Sequence, residues 1–483
     1  MGIVMKHFFH TALLVLLVLL CTACPPDDDD DNNDAADDDD DSSPADDDAS
    51  DDDTDDDDTD DDTDDDDTSD DDTIDDDTGD DDTIPGLVCY TDADGDGYGD
   101  PATGQAYEDQ CPPELTEIGG DCNDTDANIF PGAPELAEDG VDQDCNGADL
   151  IPADETGVFV AKTGNDDNPG TMALPALTVA VGVALAESAN KAVFIAQGYY
   201  DEVLTSGVSL YGGYEAQGWT RDIENFVTQL SNQDTTCLTM TADTLTIEGL
   251  WILPAAVFDH GVDLTIGRLA RFHRNRLFGG LEASGGRIVV EGGILVSGPY
   301  CEAINVADTQ LTLVNSMILG PAGLSISDAD GLVVNNTFVA LMGKGASSVC
   351  ISARNADATM LNNIFLDNSI WPVRAISLYE TNEVTLWNNL FYGDDITLVD
   401  PLRDIGTINA CTWDGCHEAG ANLFTPPLLA DDLLHLTADS PCIDAGIDPA
   451  PWYGGPEIFY DYDGDTRPAG SGWDIGMDEY ITR

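Results

Sequence analysis

A short triplet, asparagine followed by any residue and then an apolar one, keeps returning in the second half of this chain. It stands at 275–277, 315–317, 336–338, 363–365 and 389–391, at intervals of 40, 21, 27 and 26 residues, the first spanning about two of the others. Two residues before each asparagine come His273, Leu313, Val334, Leu361 and Trp387, mostly large and apolar. Self-similarity of this length marks a repeat architecture, in which each unit buries its apolar face against the next. The runs L-T-L-V, G-L-V-V and E-V-T-L between the triplets are short and β-rich, with period-2 burial. Together they describe one coil of a parallel β-helix, with an asparagine at a tight turn bonded to its counterparts in neighbouring coils. A β-sandwich with chance asparagine spacing is the competing reading.

Charge divides the rest of the chain. Residues 27–83 contain 37 Asp and no Lys, Arg or Glu, in repeats of D-D-D-T and D-D-D-D-T. With almost no apolar side chain to offset backbone entropy, residues 25–84 are expected to be a disordered, extended stalk. Residues 85–150 add 17 acids and no base, whereas residues 151–483 carry 43 acids against 14 bases. Nothing in the chain offers a basic groove for phosphates, so nucleic acid is excluded as a partner.

The N-terminus reads as an export signal. Lys6 and His7 precede the apolar run T-A-L-L-V-L-L-V-L-L, too short to span a bilayer comfortably and followed by small residues. The stretch L-C-T-A-C, residues 20–24, resembles a bacterial lipoprotein box, with Cys21 where leucine is usual. That resemblance implies residues 1–24 as signal, a lipid on Cys24 and a membrane anchor at a bacterial outer membrane or cell surface. Plain signal cleavage and an uncleaved anchor are the alternatives. Ten cysteines then remain for an oxidising compartment, an even number that suggests disulfides. The pairs expected are Cys89 with Cys111, Cys122 with Cys145, and Cys411 with Cys416.

After the stalk the acids become spaced instead of massed. In C-Y-T-D-A-D-G-D-G-Y-G-D, Asp92, Asp94 and Asp96 occupy positions 1, 3 and 5 with glycine between, the carbonyl of Tyr98 falls at position 7, and Asp100 follows. Such spacing turns alternate oxygens toward one centre and suits a hard cation. An EF-hand would need glutamate at position 12, where Thr103 stands. The stretch looks more like a thrombospondin type 3 calcium repeat. Asp121, Asn123, Asp124 and Asp126 form a second acidic set, and Asp142, Asp144, Asn146 and Asp149 repeat the alternation.

The ordered motifs D-C-N-D-T-D, P-G-A-P-E and D-G-V-D-Q-D-C-N-G make this segment similar to the metal-binding region named after MopE. The resemblance implies metal binding, and its name is associated with copper. Residues 85–150, however, hold no His or Met. With the cysteines paired, only oxygen is left, which suits calcium far better than copper. A spacer whose acids are merely solvated is the bland alternative. The module is expected to be a calcium-braced collar at the joint between stalk and β-helix.

Both ends of residues 151–483 sharpen the repeat reading. F-V-A-K-T-G-N-D-D-N-P-G-T, I-A-Q-G-Y-Y-D-E, S-P-C-I-D-A-G and D-Y-D-G-D-T-R-P with W-D-I-G-M-D-E-Y resemble the ends of right-handed β-helix proteins of the pectate-lyase-like superfamily. The fold expected is all-β, a right-handed parallel β-helix, with an apolar helix within residues 176–189 capping its open end. Asp461, Asp463 and Asp465 alternate again, read either as a calcium set or as structural partners of Arg467.

Relatives of such folds include polysaccharide lyases and hydrolases. A uronate lyase needs a base and a cation near the scissile sugar. The one basic cluster is Arg268, Arg271, His273, Arg274 and Arg276, of which Arg274 and Arg276 could bind an acidic sugar. An exposed strand whose arginines pair with surrounding acids is preferred. The pair Asp394 and Asp395 reads as a plain loop, since adjacent strand residues face opposite ways. The favoured function is a lipid-anchored, non-catalytic surface protein presenting its β-helix to a polysaccharide or another cell-surface component. The alternative is a polysaccharide lyase or glycoside hydrolase.

Overall fold

Among the described residues the coils turn their apolar side chains inward, and the computed structural model is the parallel β-helix this pattern demands. It describes residues 87–481 apart from 233–235, 255–260, 299–301, 342–347, 370–371, 381–382, 403 and 454. The expected signal segment, Cys24 and the aspartate-rich stalk lie outside the described residues.

One coil shows the plan. Ile304–Ala307 lies in sheet 3, Gln310–Val314 in sheet 1 and Met317–Gly320 in sheet 2. Each strand pairs in parallel with its counterpart in the next coil, at Ala322–Ser327, Gly331–Val334 and Thr337–Ala340. Two longer strands, Leu238–Glu248 and Val262–His273, run through the corner from sheet 3 into sheet 1. Because parallel coils stack in register, like side chains form interior columns. Leu295, Ile318, Phe338, Phe365 and Phe391 make one, with the three rings stacked at 5.1 and 5.0 Å. Offset aromatic stacking adds to the burial of these large surfaces.

The turn from sheet 1 to sheet 2 carries the expected ladder at Asn336, Asn363 and Asn389 and departs from it at Asn315. Asn335, Asn362 and Asn388 have φ of 55°, 57° and 54°, left-handed conformations that asparagine tolerates. The next residue builds the ladder. The main-chain NH and Nδ2 of Asn336 donate to Asn363 Oδ1, those of Asn363 to Asn389 Oδ1, and those of Asn389 to Asn422 Oδ1, at 3.0–3.1 Å. Asn315 was expected on a rung but takes the left-handed place, φ 49°, and Ser316 takes the rung, donating its NH to Asn336 Oδ1 at 2.8 Å. Asn422, passed over in the sequence although it too opens a triplet ending in Phe424, extends the ladder by donating its NH and Nδ2 to Asn409 Oδ1 at 2.9 and 2.8 Å.

The left-handed asparagines have a second use. Asn315 donates to the carbonyl of Tyr460, Asn362 to that of Ile447 and Asn388 to that of Ala445. They thereby pin the irregular C-terminal segment along the coil edge. Within that segment Arg467 is fully buried, pairs with Glu479 and donates to the carbonyls of Asp474 and Gly476. Of the alternating acids, Asp461 lies in the field of the Arg467 guanidinium and accepts the NH groups of Asp465 and Glu479, and Asp463 accepts from His435.

The expected capping helix is Val179–Ala189, starting at Thr178, whose side chain accepts the NH of Val181. It presses Val179, Val183 and Ala186 onto the first coils, and Gly182 sits where a Cβ would meet Val160 at 2.3 Å. The thiols departed from expectation. Cys237, Cys350 and Cys442 are unpaired and buried, serving as small apolar side chains, while Cys301 lies outside the described residues.

Candidate metal centre

Residues 87–150 hold little regular structure. The strand Leu87–Thr91 pairs antiparallel with Gln105–Tyr107 and Leu115–Thr116, and disulfides join Cys89 to Cys111 and Cys122 to Cys145; a third joins Cys411 to Cys416. The described residues form one compact unit, in which the segment packs on the outer face of sheet 1.

The basic cluster makes that packing possible. The Arg268 guanidinium lies 4.4 Å from the ring centroids of both Tyr98 and Phe130, donates to Tyr98 Oη at 2.8 Å, and donates to the main-chain carbonyl of Asp96 at 2.6 Å. Arg271 is buried, and Arg287 donates to the carbonyl of Ala127. Arg276 pairs with Glu224 at 3.1 Å and lies over Trp251, and Arg274 is the left-handed turn residue beside it, φ 51°. Further along, the buried Glu248 accepts from Arg221, His273 and the NH of Ala137, and the Arg221 charge holds its carboxyl near 2 against the opposing effect of burial. Arg268 of this cluster therefore seats the acidic segment, while Arg276 is held by Glu224. Asp394 and Asp395 stand exposed in a turn.

The spaced acids converge in two places. Asp92, Asp94 and Asp96 each offer an oxygen within 4.8 Å of the others, and Asp94 does the same with Asp121 and Asp124, so two loops distant in sequence share one centre. Left-handed Gly95 and Gly97 turn the first loop, and their NH groups bind Asp92. A further group unites Glu135 with Asp142 and Asp144. Glu135 was missed in the sequence because it lies outside any alternating run; its place in P-G-A-P-E was the available signal. The remaining acids and amides brace the loops. Asp100 accepts the NH of Ala102, Asn123 accepts from Thr125, Asp126 from Asn128, Asn146 from Ala148 and Asp149 from Gly140. For Tyr98 it is the ring, stacked on Phe130, that the structure puts to use.

Electrostatics fit a cation. Asp94 Oδ2, Asp96 Oδ2 and Asp121 Oδ2 are buried without a hydrogen-bond partner among the described residues, an expensive state for an anionic oxygen. Burial, reinforced by neighbouring aspartates, pushes Asp94 up to about 6 and Asp96 to about 7 despite main-chain NH bonds that oppose the shift. Burial likewise raises Glu135 to about 7. Since Cys122 and Cys145 are spent in a disulfide, the donors left here are oxygens.

A family model, Cu-binding_MopE, described as "Putative metal-binding motif", matches residues 121–149. These residues carry a metal-binding motif of the MopE type. The motif contains the whole Glu135 group and Asp121 and Asp124 of the first centre, while the loop 92–96 completes that centre from outside it. None of the curated proteins compared matches the chain. Among solved structures the chain is similar to "Crystal structure of pectate lyase Pel9A", at 12% identity and a TM-score of 0.34, over 68% of this chain and 97% of that one.

Outside the motif, His435 forms another cluster with Asp463 and Asp478. Its Nδ1 meets Asp432 at 2.6 Å and its Nε2 meets Asp463 at 2.8 Å, and these two carboxylates raise the imidazole to about 10. With both nitrogens engaged, the ring is an ion-pair clamp closing the C-terminal segment.

Proposed function

We propose that the protein is an exported, lipid-anchored surface protein, held by Cys24, that presents its β-helix to a glycan or another cell-surface component without catalysing a reaction. Arg268 is the observation that carries this reading. Clamped between Tyr98 and Phe130 and bonded to Asp96, it fastens the acidic module to the coil stack and is not free to neutralise a substrate. The metal is calcium on this reading, because the converging donors are carboxylates, which favour hard cations over copper. A cation held by Asp92, Asp94, Asp96, Asp121 and Asp124 ties two loops together, and one held by Glu135, Asp142 and Asp144 closes the third.

Glycan-array binding by the full chain, with and without calcium, tests the reading, alongside sugar-release and unsaturated-product assays on a uronate panel. Calcium-dependent retention without product is expected. Turnover of any glycan would replace the reading with an enzyme, and calorimetry showing tighter copper than calcium binding would overturn the metal.

A further inference from the structure

We propose that the cleft between the metal-binding module and the β-helix binds an amine-bearing glycan, built from units such as glucosamine, in preference to a uronate. This rests on the surface-binding reading above and narrows its ligand. The cleft has a volume of about 640 Å³ and lies between residues 124–128, the outer face of sheet 1 and residues 450–453 of the C-terminal segment.

Its floor repeats with the coils. Thr312, Leu332 and Thr359 are aligned in successive strands, placing hydroxyl, apolar and hydroxyl side chains in a row at roughly 4.8 Å steps. Trp452, 38% exposed, adds an aromatic surface at the wall. Apolar faces with a few placed polar groups suit a hydroxyl-bearing ring better than a flexible lysine side chain.

Charge sets the class. Asp94, Asp124, Asp126, Asp330 and Asp357 line the cleft against Arg287 alone among basic residues. Two of these belong to the metal centre. Asp330 and Asp357 take equivalent places in successive coils, because Gly331 pairs with Ala358, and like charges one strand apart are destabilising until a cation joins them. A uronate would add to that repulsion.

Asn128 supplies an independent observation. It is 1% exposed and lines the cleft, and its Nδ2 donates to Asp126 and to Tyr453 Oη, which fixes the amide's orientation. Its Oδ1 has no hydrogen-bond partner among the described residues. A buried acceptor in this state calls for a donor, and an ammonium or hydroxyl group provides one.

The test is calorimetric titration of the calcium-loaded full chain with hexamers of glucosamine, N-acetylglucosamine and galacturonic acid, and with hexalysine. The glucosamine hexamer is expected to bind at least tenfold tighter than the other three and to weaken with salt. Combined Asp330→Asn and Asp357→Asn substitution, or Trp452→Ala, should weaken it at least tenfold with the far-UV spectrum unchanged, whereas Asp394→Asn in a distant turn should not. Equal binding of hexalysine, or indifference to the cleft substitutions, overturns the proposal. Preference for the acetylated or uronate hexamer overturns it while leaving the surface-binding reading in place; silence from every sugar sinks both.

Discussion

The main-chain carbonyl of Glu135 accepts the Tyr211 hydroxyl at 2.7 Å while the carboxylate of the same residue stands beside Asp142 and Asp144. Thr246 Oγ1 donates to that carbonyl as well. Asp96 repeats the arrangement, with its carbonyl on Arg268 and its carboxylate in the first acidic group. At each candidate centre, one residue thus joins a carboxylate of the acidic group to a bond made by the β-helix.

Metal occupancy and docking should therefore be linked. A chelator is expected to lower the melting temperature and to expose residues 87–150 to protease, since a ligand bound only by the folded form stabilises by mass action. Glu135→Gln should weaken calcium binding at least tenfold by calorimetry and diminish the chelator effect. Unchanged melting after chelation would show that the coupling is absent.

The pH dependence of the metal-free protein has a definite sign. Asp94, Asp96 and Glu135 are raised in the fold to between about 6 and 7, above their ordinary values, so the native state binds more protons there than the unfolded chain. Their contribution should make the metal-free protein less stable as pH rises from about 4 through 7. A calcium ion held as proposed would compete with those protons, so a calcium-induced rise in melting temperature should be larger at pH 8 than at pH 5.5. Thermal scans at both values, with calcium and with chelator, read this directly.

Removing Arg268 tests the seat of the module. Arg268→Ala loses two hydrogen bonds and contacts with two rings, a cost of about 2–3 kcal/mol. Arg268→Lys keeps the charge but not the planar fork and should fall between. Denaturant titration gives the stability, and faster cleavage within residues 87–150 would locate the loss.

Asparagines at neighbouring positions should behave differently. Asn363 is fully buried and bonds Asn336, Asn389 and the Val333 carbonyl, so Asn363→Ala should cost about 2–4 kcal/mol. Asn315→Ala should cost about 1 kcal/mol, for lost left-handed tolerance and one bond to Tyr460. Equal losses in urea unfolding would contradict the ladder assignment.

The His435 clamp should also report through pH. The imidazole is raised to about 10, so its stabilisation is complete below about 6.5 and is lost as pH climbs through 10. Asp432, held near 2 by His435 and nearby NH groups against the effect of its burial, keeps its share until strongly acid pH. His435→Gln should then cost about 1–2 kcal/mol at pH 6 and less at pH 10, measured by denaturant titration at both values.

Local pattern was enough to specify the coil. A recurrent asparagine triplet with period-2 apolar runs has few solutions other than stacked parallel turns, since local periodicity is all that a solenoid requires. It also marked most of the acids that converge at the metal centre, because oxygens at alternate positions with glycine between are a local pattern. Features that depend on contacts distant along the chain emerged only on folding. Whether Asn315 or Ser316 takes the rung is a one-residue register, and in the sequence both positions look polar. Glu135 joins Asp142 and Asp144, and Asp94 joins Asp121, only through loop closure. Arg268 reads alone as a surface cation, yet its role follows from Tyr98 and Phe130, about 170 and 140 residues earlier, because burial of a guanidinium between rings is fixed by packing and leaves no periodic trace.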